Sequence, residues 1–143
     1  MKLCVLLGVL LRLALFFTIH PFSDASCIKH RVLNGDGIGY YVIADNVRNG
    51  RGFSMSTAEP YTPDNYRTPL YPLFIAATNL VTGSYVAAPL CLQIFFFIPV
   101  LVLLRSICIT ISGQRCATIC IWTYATCPLD IICSQSLLTE SLF

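Results

Sequence analysis

The chain has 143 residues, of which 56% are hydrophobic and 11% charged, with nine Lys and Arg against seven Asp and Glu and a mean hydropathy of +0.73. A soluble domain usually carries about 25% charged residues, so this composition argues against one. A net charge of +2, with no Lys/Arg cluster interleaved with aromatics, sets nucleic acid aside as a partner.

Residues 3 to 19 are nearly all apolar behind a single Lys2. A signal peptide and a first membrane helix both look like this, and the poor cleavage site in His20-Pro21-Phe22-Ser23-Asp24-Ala25 favours a retained helix. Arg12, in the middle of the run, costs about 2.5 kcal/mol or more in lipid, so it should face a protein interior or pair with a polar group.

From His20 to Arg67 the composition turns polar, with five basic residues balanced by five acidic ones, which reads as a sizeable aqueous loop. Asn34-Gly35-Asp36-Gly37 is a turn signal in which Asn34 or Asp36 can cap a helix. Tyr40, Ile43, Ala44 and Val47 then fall on one helical stripe, with Asp45 on the solvated face and Asn49-Gly50 as the stop, so a short amphipathic helix at the membrane surface is expected. Ser54 to Asn65 shows no periodicity and reads as irregular.

Between Thr68 and Leu104 there are 37 consecutive residues without a charge, too many for a core helix. Pro69 and Pro72 bracket Leu70-Tyr71, and the apolar piece Leu73 to Val81 is too short to cross a bilayer, which suggests a re-entrant or interfacial helix. Tyr85 to Ile111 is long enough for a second span, with Pro89 and Pro99 as kink sites. After Ser112-Gly113-Gln114-Arg115 a third span of marginal length runs from Cys116 to Cys127, with Asp130 just beyond, and Leu137 opens a further apolar piece.

The expected fold is therefore an all-α membrane protein with three transmembrane helices plus the start of a fourth, and an extracytoplasmic loop carrying short amphipathic helices. Residues 1–143 form one polytopic unit, divided into a first membrane helix (1–19), the loop (20–83) and the later helices (84–143). Flanking charge puts Lys2, Arg105 and Arg115 in the cytoplasm, with the long loop, Asp130 and Glu140 outside, in a multi-pass protein of the plasma (inner) membrane.

Of the eight cysteines, only Cys27 lies in a polar segment. Neither His20 nor His30 has a CxxC partner, so buried free thiols are the better reading than a disulfide framework or a zinc site; Cys116 and Cys120 stand one helical turn apart. Asp36 and Glu140 are two carboxylates on the same predicted side of the membrane. Such a pair can serve as general base, hold a metal or counter-ion, or cap helices, and spacing alone leaves these roles open.

Three blocks narrow the choice. Asn34 to Ser54 places Asp36 a few residues before Tyr40, then an Ala-containing helix and Gly50-Arg51-Gly52-Phe53. Tyr66-Arg67-Thr68-Pro69-Leu70-Tyr71-Pro72-Leu73-Phe74-Ile75-Ala76 forms the second block. Cys127-Pro128-Leu129, followed by Ser134 to Phe143 with Thr139-Glu140-Ser141-Leu142-Phe143, forms the third. In this order the blocks resemble the first outer loop and early helices of the GT-C superfamily of integral membrane glycosyltransferases, which includes the protein mannosyltransferases and aminoarabinose transferases. Leu70 departs from the Gly usual in the second block.

The resemblance covers essentially the whole chain but only the front of the family's pattern, which implies an amino-terminal fragment, inactive by itself, of a longer enzyme. It implies sugar transfer from a polyprenyl-phosphate donor to a lipid, glycan or protein acceptor at the outer face, with a divalent metal as the one possible cofactor. Carried over, Asp36 is the catalytic base and Glu140 a second catalytic acidic group or metal holder. Arg67 is a candidate for the donor phosphate, or else a loop salt bridge to Asp64 or Glu59. Tyr40 and Tyr71 are candidates to line a sugar or lipid groove, or else interfacial anchors. The competing expectation is a non-enzymatic small helical membrane subunit or inactive remnant, for which Arg12 would seek a neighbouring helix.

Overall fold

A computed structural model of the protein describes residues 2–19, 22 and 36–137. Among these, every named element is a helix: α1 (Lys2–Ile19), α2 (Asp36–Arg48), α3 (Leu70–Thr82), α4 (Ala87–Ala125) and α5 (Pro128–Cys133). Two of them, α1 and α4, are long and apolar enough to cross a membrane, and only 22% and 17% of their most apolar stretches are buried within the chain. A core helix would be mostly covered. Here Leu3, Leu6, Leu10 and Phe17 of α1, and Leu103, Ile107 and Ile111 of α4, are exposed.

The third expected span is present as a helical arm set off at Gly113, but it falls short of spanning length. Residues 116 to 125 belong to the second arm of α4, which turns at Gly113, where φ is 81° and ψ is 178°. Only glycine occupies that backbone region readily. On one straight helix residues 97 and 124 would lie about 40 Å apart, yet the Phe97 and Tyr124 rings stack with centroids 5.7 Å apart. The chain therefore doubles back, giving a first arm (87–112) of about 39 Å and a second (114–125) of about 18 Å. An 18 Å arm stops well short of a hydrocarbon core of about 30 Å. The fourth helix expected from Leu137 onwards falls on residues 138–143, outside the described residues.

Helix α1 buries one narrow stripe, Cys4, Gly8, Arg12 and Phe16, spaced every four residues. It runs antiparallel to the first arm of α4, with Cys4 clustered with Phe97 and Leu101, and Phe16 with Leu90 and Ile94. Gly8 permits the close approach: a Cβ there would sit 2.5 Å from Cζ of Phe97. The Cys4 thiol also reaches the second arm of α4, donating to the Ile121 carbonyl at 3.2 Å. The seven described cysteines are free, but only Cys4 is buried and the other six are half-buried, with Cys116 Sγ and Cys120 Sγ 3.9 Å apart; Cys27 lies outside the described residues.

Helix α2 begins at Asp36, an acidic residue favourable to the positive end of the helix dipole, and ends at the basic Arg48. Its expected stripe is the buried one: Tyr40, Ile43 and Ala44 are covered and Val47 half-buried. Helix α3 starts three residues earlier than the apolar run suggests, at Leu70. Pro69 and Pro72 occupy its cap and first turn, where a missing N–H breaks no helical bond, so they open the helix instead of preceding it. Gly83, at φ 74°, closes it by donating its N–H to Asn79 O at 2.7 Å. Helices α2 and α3 pack face to face through Tyr40, Ala44, Tyr71, Ile75 and Ala76, and this pair caps the end of the bundle where Phe16, Leu90 and Ile94 lie. The loop 49–69 carries no helix, as expected for Ser54 to Asn65 within it, and Asn46 Nδ2 ties it to α2 by donating to the carbonyls of Ser54 (2.7 Å) and Ser56 (2.9 Å).

Candidate functional site

Four of the five residues singled out from the sequence come together where α2 meets α3. Asp36, the first residue of α2, accepts from Nη2 of Arg67 at 3.2 Å; its side chain is 67% exposed, so it remains open to an incoming group. Arg67 stands three residues before α3 and is shared: its Nη1 donates to Asp64 at 3.2 Å and also meets the Met55 sulfur. The expected loop salt bridge of Arg67 is present, with Asp64 and not Glu59 as the partner. The site has two carboxylates around one guanidinium, a net charge of −1.

Beneath the ion pairs lies an aromatic support. The Arg67 guanidinium carbon stands 5.9 Å from the Tyr40 ring centroid, and Tyr40 meets Tyr71 edge to face at 5.2 Å. The Tyr71 hydroxyl accepts from Gln93 Nε2 of α4 at 2.5 Å. Tyr40 and Tyr71 are buried, so in this arrangement they hold Arg67 from below and do not line an open groove. Their spacing on two amphipathic stripes accounts for this: each lies on the face its helix turns inward. Glu140, the fifth residue, lies outside the described residues.

Gly39 is a determinant that sequence reasoning missed. A Cβ there would come 2.7 Å from Cζ and Nε of Arg67, so the guanidinium lies directly on the glycine face of α2. Two glycines in the first turn of a helix were the available signal, since glycine is a poor helix former unless something approaches closely. Asp64 is held below the usual carboxylate range, first by the backbone N–H of Tyr66, which donates to its Oδ1 at 2.8 Å, and further by Arg67, against an opposing effect of desolvation.

Asp45 is not a solvated face. It is half-buried and accepts from the Tyr85 hydroxyl at 2.8 Å and from Asn49 Nδ2 at 3.0 Å, with Arg51 at 3.8 Å. Burial and then the hydrogen bond to Asp45 push the Tyr85 phenol up, while burial and then the Asp45 charge do the same to Tyr41. The Arg48 guanidinium lies 5.9 Å from the Tyr85 ring centroid. These contacts anchor the far end of α2 to the start of α4.

Arg12 has the polar partner its sequence position demanded, and the partner is Asp130. The two form an ion pair, with Arg12 wholly buried and Asp130 27% exposed. Arg12 Nη1 also donates to the carbonyls of Gly8 (3.0 Å) and Ala125 (3.3 Å), and its guanidinium lies 3.8 Å over the Phe97 ring. The short second arm of α4 and helix α5 bring the Asp130 carboxylate alongside the middle of α1.

Among the described residues no three His, Cys, Asp or Glu side chains converge. Asp36 and Asp64 are separated by the guanidinium they share, so these donors do not fit a divalent metal as they stand. The chain matches no protein-family model, no curated protein and no solved structure.

Proposed function

We propose that this chain is the amino-terminal part of a membrane glycosyltransferase that moves a sugar from a polyprenyl-phosphate donor to a lipid, glycan or protein acceptor at the outer face. The observation that supports this reading is the Asp36–Arg67 ion pair at 3.2 Å, because it joins the first two resemblance blocks, 31 residues apart, at one partly exposed point. Asp36 accepts the proton of the acceptor hydroxyl as its oxygen attacks the anomeric carbon; the bond from that carbon to the phosphate oxygen breaks, and polyprenyl phosphate leaves with the bonding pair. Arg67 takes the donor phosphate in exchange for Asp36, which frees the carboxylate for its role as base while Asp64 keeps the guanidinium in place. Tyr40 and Tyr71 position Arg67. Glu140 is a second acidic group of the same outer side.

This reading places the α2–α3 pair outside the membrane, with Lys2, Arg105 and Arg115 inside. The subunit alternative drew on Arg12 needing a helix from elsewhere, and Asp130 meets that need within the chain.

The test is sugar transfer from polyprenyl-phosphate donors in membranes carrying the full reading frame, with insertion followed by protease protection. Asp36→Asn is expected to lower transfer by about 100-fold or more at normal insertion. Undiminished transfer by Asp36→Asn removes it as base, and no transfer by the parent protein with any such donor overturns the enzyme reading.

A further inference from the structure

Cys116 and Cys120 depart from the buried thiols expected of them. Both are half-buried, beside the stripe of Ala117, Ile121 and Ala125 that the second arm of α4 buries, and their sulfurs lie 3.9 Å apart. Tyr124 continues the same row one turn further on and stacks against Phe97, so this row lies on the side of the second arm that faces the first. Among the described residues neither thiol has a hydrogen-bond partner besides the other. Helix α4 carries two charged side chains, Arg105 and Arg115, both positive, and Arg115 directly precedes Cys116.

We propose that Cys116 and Cys120 form a binding site for one soft monovalent cation, Cu(I), held between two thiolates. On binding, each thiol gives its proton to solvent and its sulfur bonds to the metal, and no electron is transferred. Three constraints select this ion. Thiolate sulfur prefers soft metals to the hard cations Mg, Ca and Mn. Cu(I) is content with two sulfur ligands, whereas structural zinc takes four, and among the described residues no third His, Cys, Asp or Glu side chain converges here. Two thiolates around Cu(I) carry a net charge of −1, which the neighbouring Arg115 offsets. With sulfur–metal bonds of about 2.3 Å, one ion spans sulfurs 3.9 Å apart at an angle of about 115°, and a linear arrangement needs a spread of about 0.7 Å, which small side-chain rotations supply.

The experiment titrates the purified chain, reduced and in nanodiscs, with Cu(I) buffered by a chromogenic chelator, with Zn(II) as the competitor. One equivalent of Cu(I) is expected to bind, with two sulfur neighbours in X-ray absorption, and an equal concentration of Zn(II) leaves it in place. Cys116→Ser and Cys120→Ser each abolish this binding, whereas Cys91→Ser and Cys133→Ser retain it, with circular dichroism confirming that each variant keeps its helices. The unmutated chain gives an independent reading: bound Cu(I) shields Cys116 and Cys120 from a small methanethiosulfonate reagent, as peptide mass spectrometry reads. Binding that survives Cys116→Ser or Cys120→Ser, equal labelling of both thiols with and without Cu(I), a third sulfur neighbour, or displacement by Zn(II) overturns the proposal.

Discussion

Replacing Asp130 with leucine is expected to cost about 3–5 kcal/mol of folding free energy, because it leaves Arg12 buried and charged with no counter-ion. Arginine cannot shed its proton to escape, and Arg12 has no exposed surface through which to reach water. The reverse change, Arg12→Leu, leaves a carboxylate that is 27% exposed and so partly hydrated, and its cost falls to about 1–2 kcal/mol, including the packing lost over Phe97. The double variant Arg12→Leu/Asp130→Leu removes both charges and is expected within about 1 kcal/mol of the parent or above it, as hydrophobic replacement of buried pairs generally is. A loss of 3–5 kcal/mol corresponds to about two to four decades in the unfolding constant, well within reach of denaturant titration in bicelles. Additive single effects, or a loss below about 1 kcal/mol for Asp130→Leu, would show that the pair does not hold α1 to α5.

Gly39→Ala places a methyl 2.7 Å from Arg67 Cζ, which should displace the guanidinium and break its link to Asp36 at a cost of about 1 kcal/mol. Combined with Asp36→Asn it should be no worse than either change alone, as a double-mutant cycle in stability will read. Gly113→Ala forces a side chain into a backbone region that disfavours it, for about 1–3 kcal/mol, and a cysteine pair at positions 97 and 124 should crosslink efficiently only while Gly113 is kept. Asp64, whose carboxyl is depressed in the folded protein, contributes stability above its unfolded value of about 3.9 and loses that contribution as pH falls through its lower folded value. The stability gap between the parent and Asp64→Asn should therefore stay constant from pH 8 to 5 and close only under stronger acid; closure near pH 6 would contradict the Tyr66 and Arg67 contacts as its cause.

Apolar run length and period were sufficient for much of the architecture. The long apolar stretches determined α1 and the first arm of α4, since few other structures accommodate so long an apolar helix. The stripe at Tyr40, Ile43, Ala44 and Val47 determined which face of α2 turns inward. The cost of a charge in lipid determined that Arg12 must have a polar neighbour. Candidate residues Asp36 and Arg67 were singled out by the family resemblance, and their meeting was not legible in the sequence.

Tertiary structure alone decided which distant groups meet. Asp130 lies 118 residues from Arg12 and sits close to a proline, a context that reads equally well as a solvated helix start. Asp45 reads as surface because α2 alone leaves it outward, and its long-range partner Tyr85 lies 40 residues on. The break between the two arms was legible at Ser112-Gly113-Gln114-Arg115, whereas the direction in which Gly113 turns the chain was not. Local pattern constrains each helix through its own solvent preference, whereas pairings between helices depend on where turns aim the chain, and a few backbone angles at Gly113 settle that for the whole second arm.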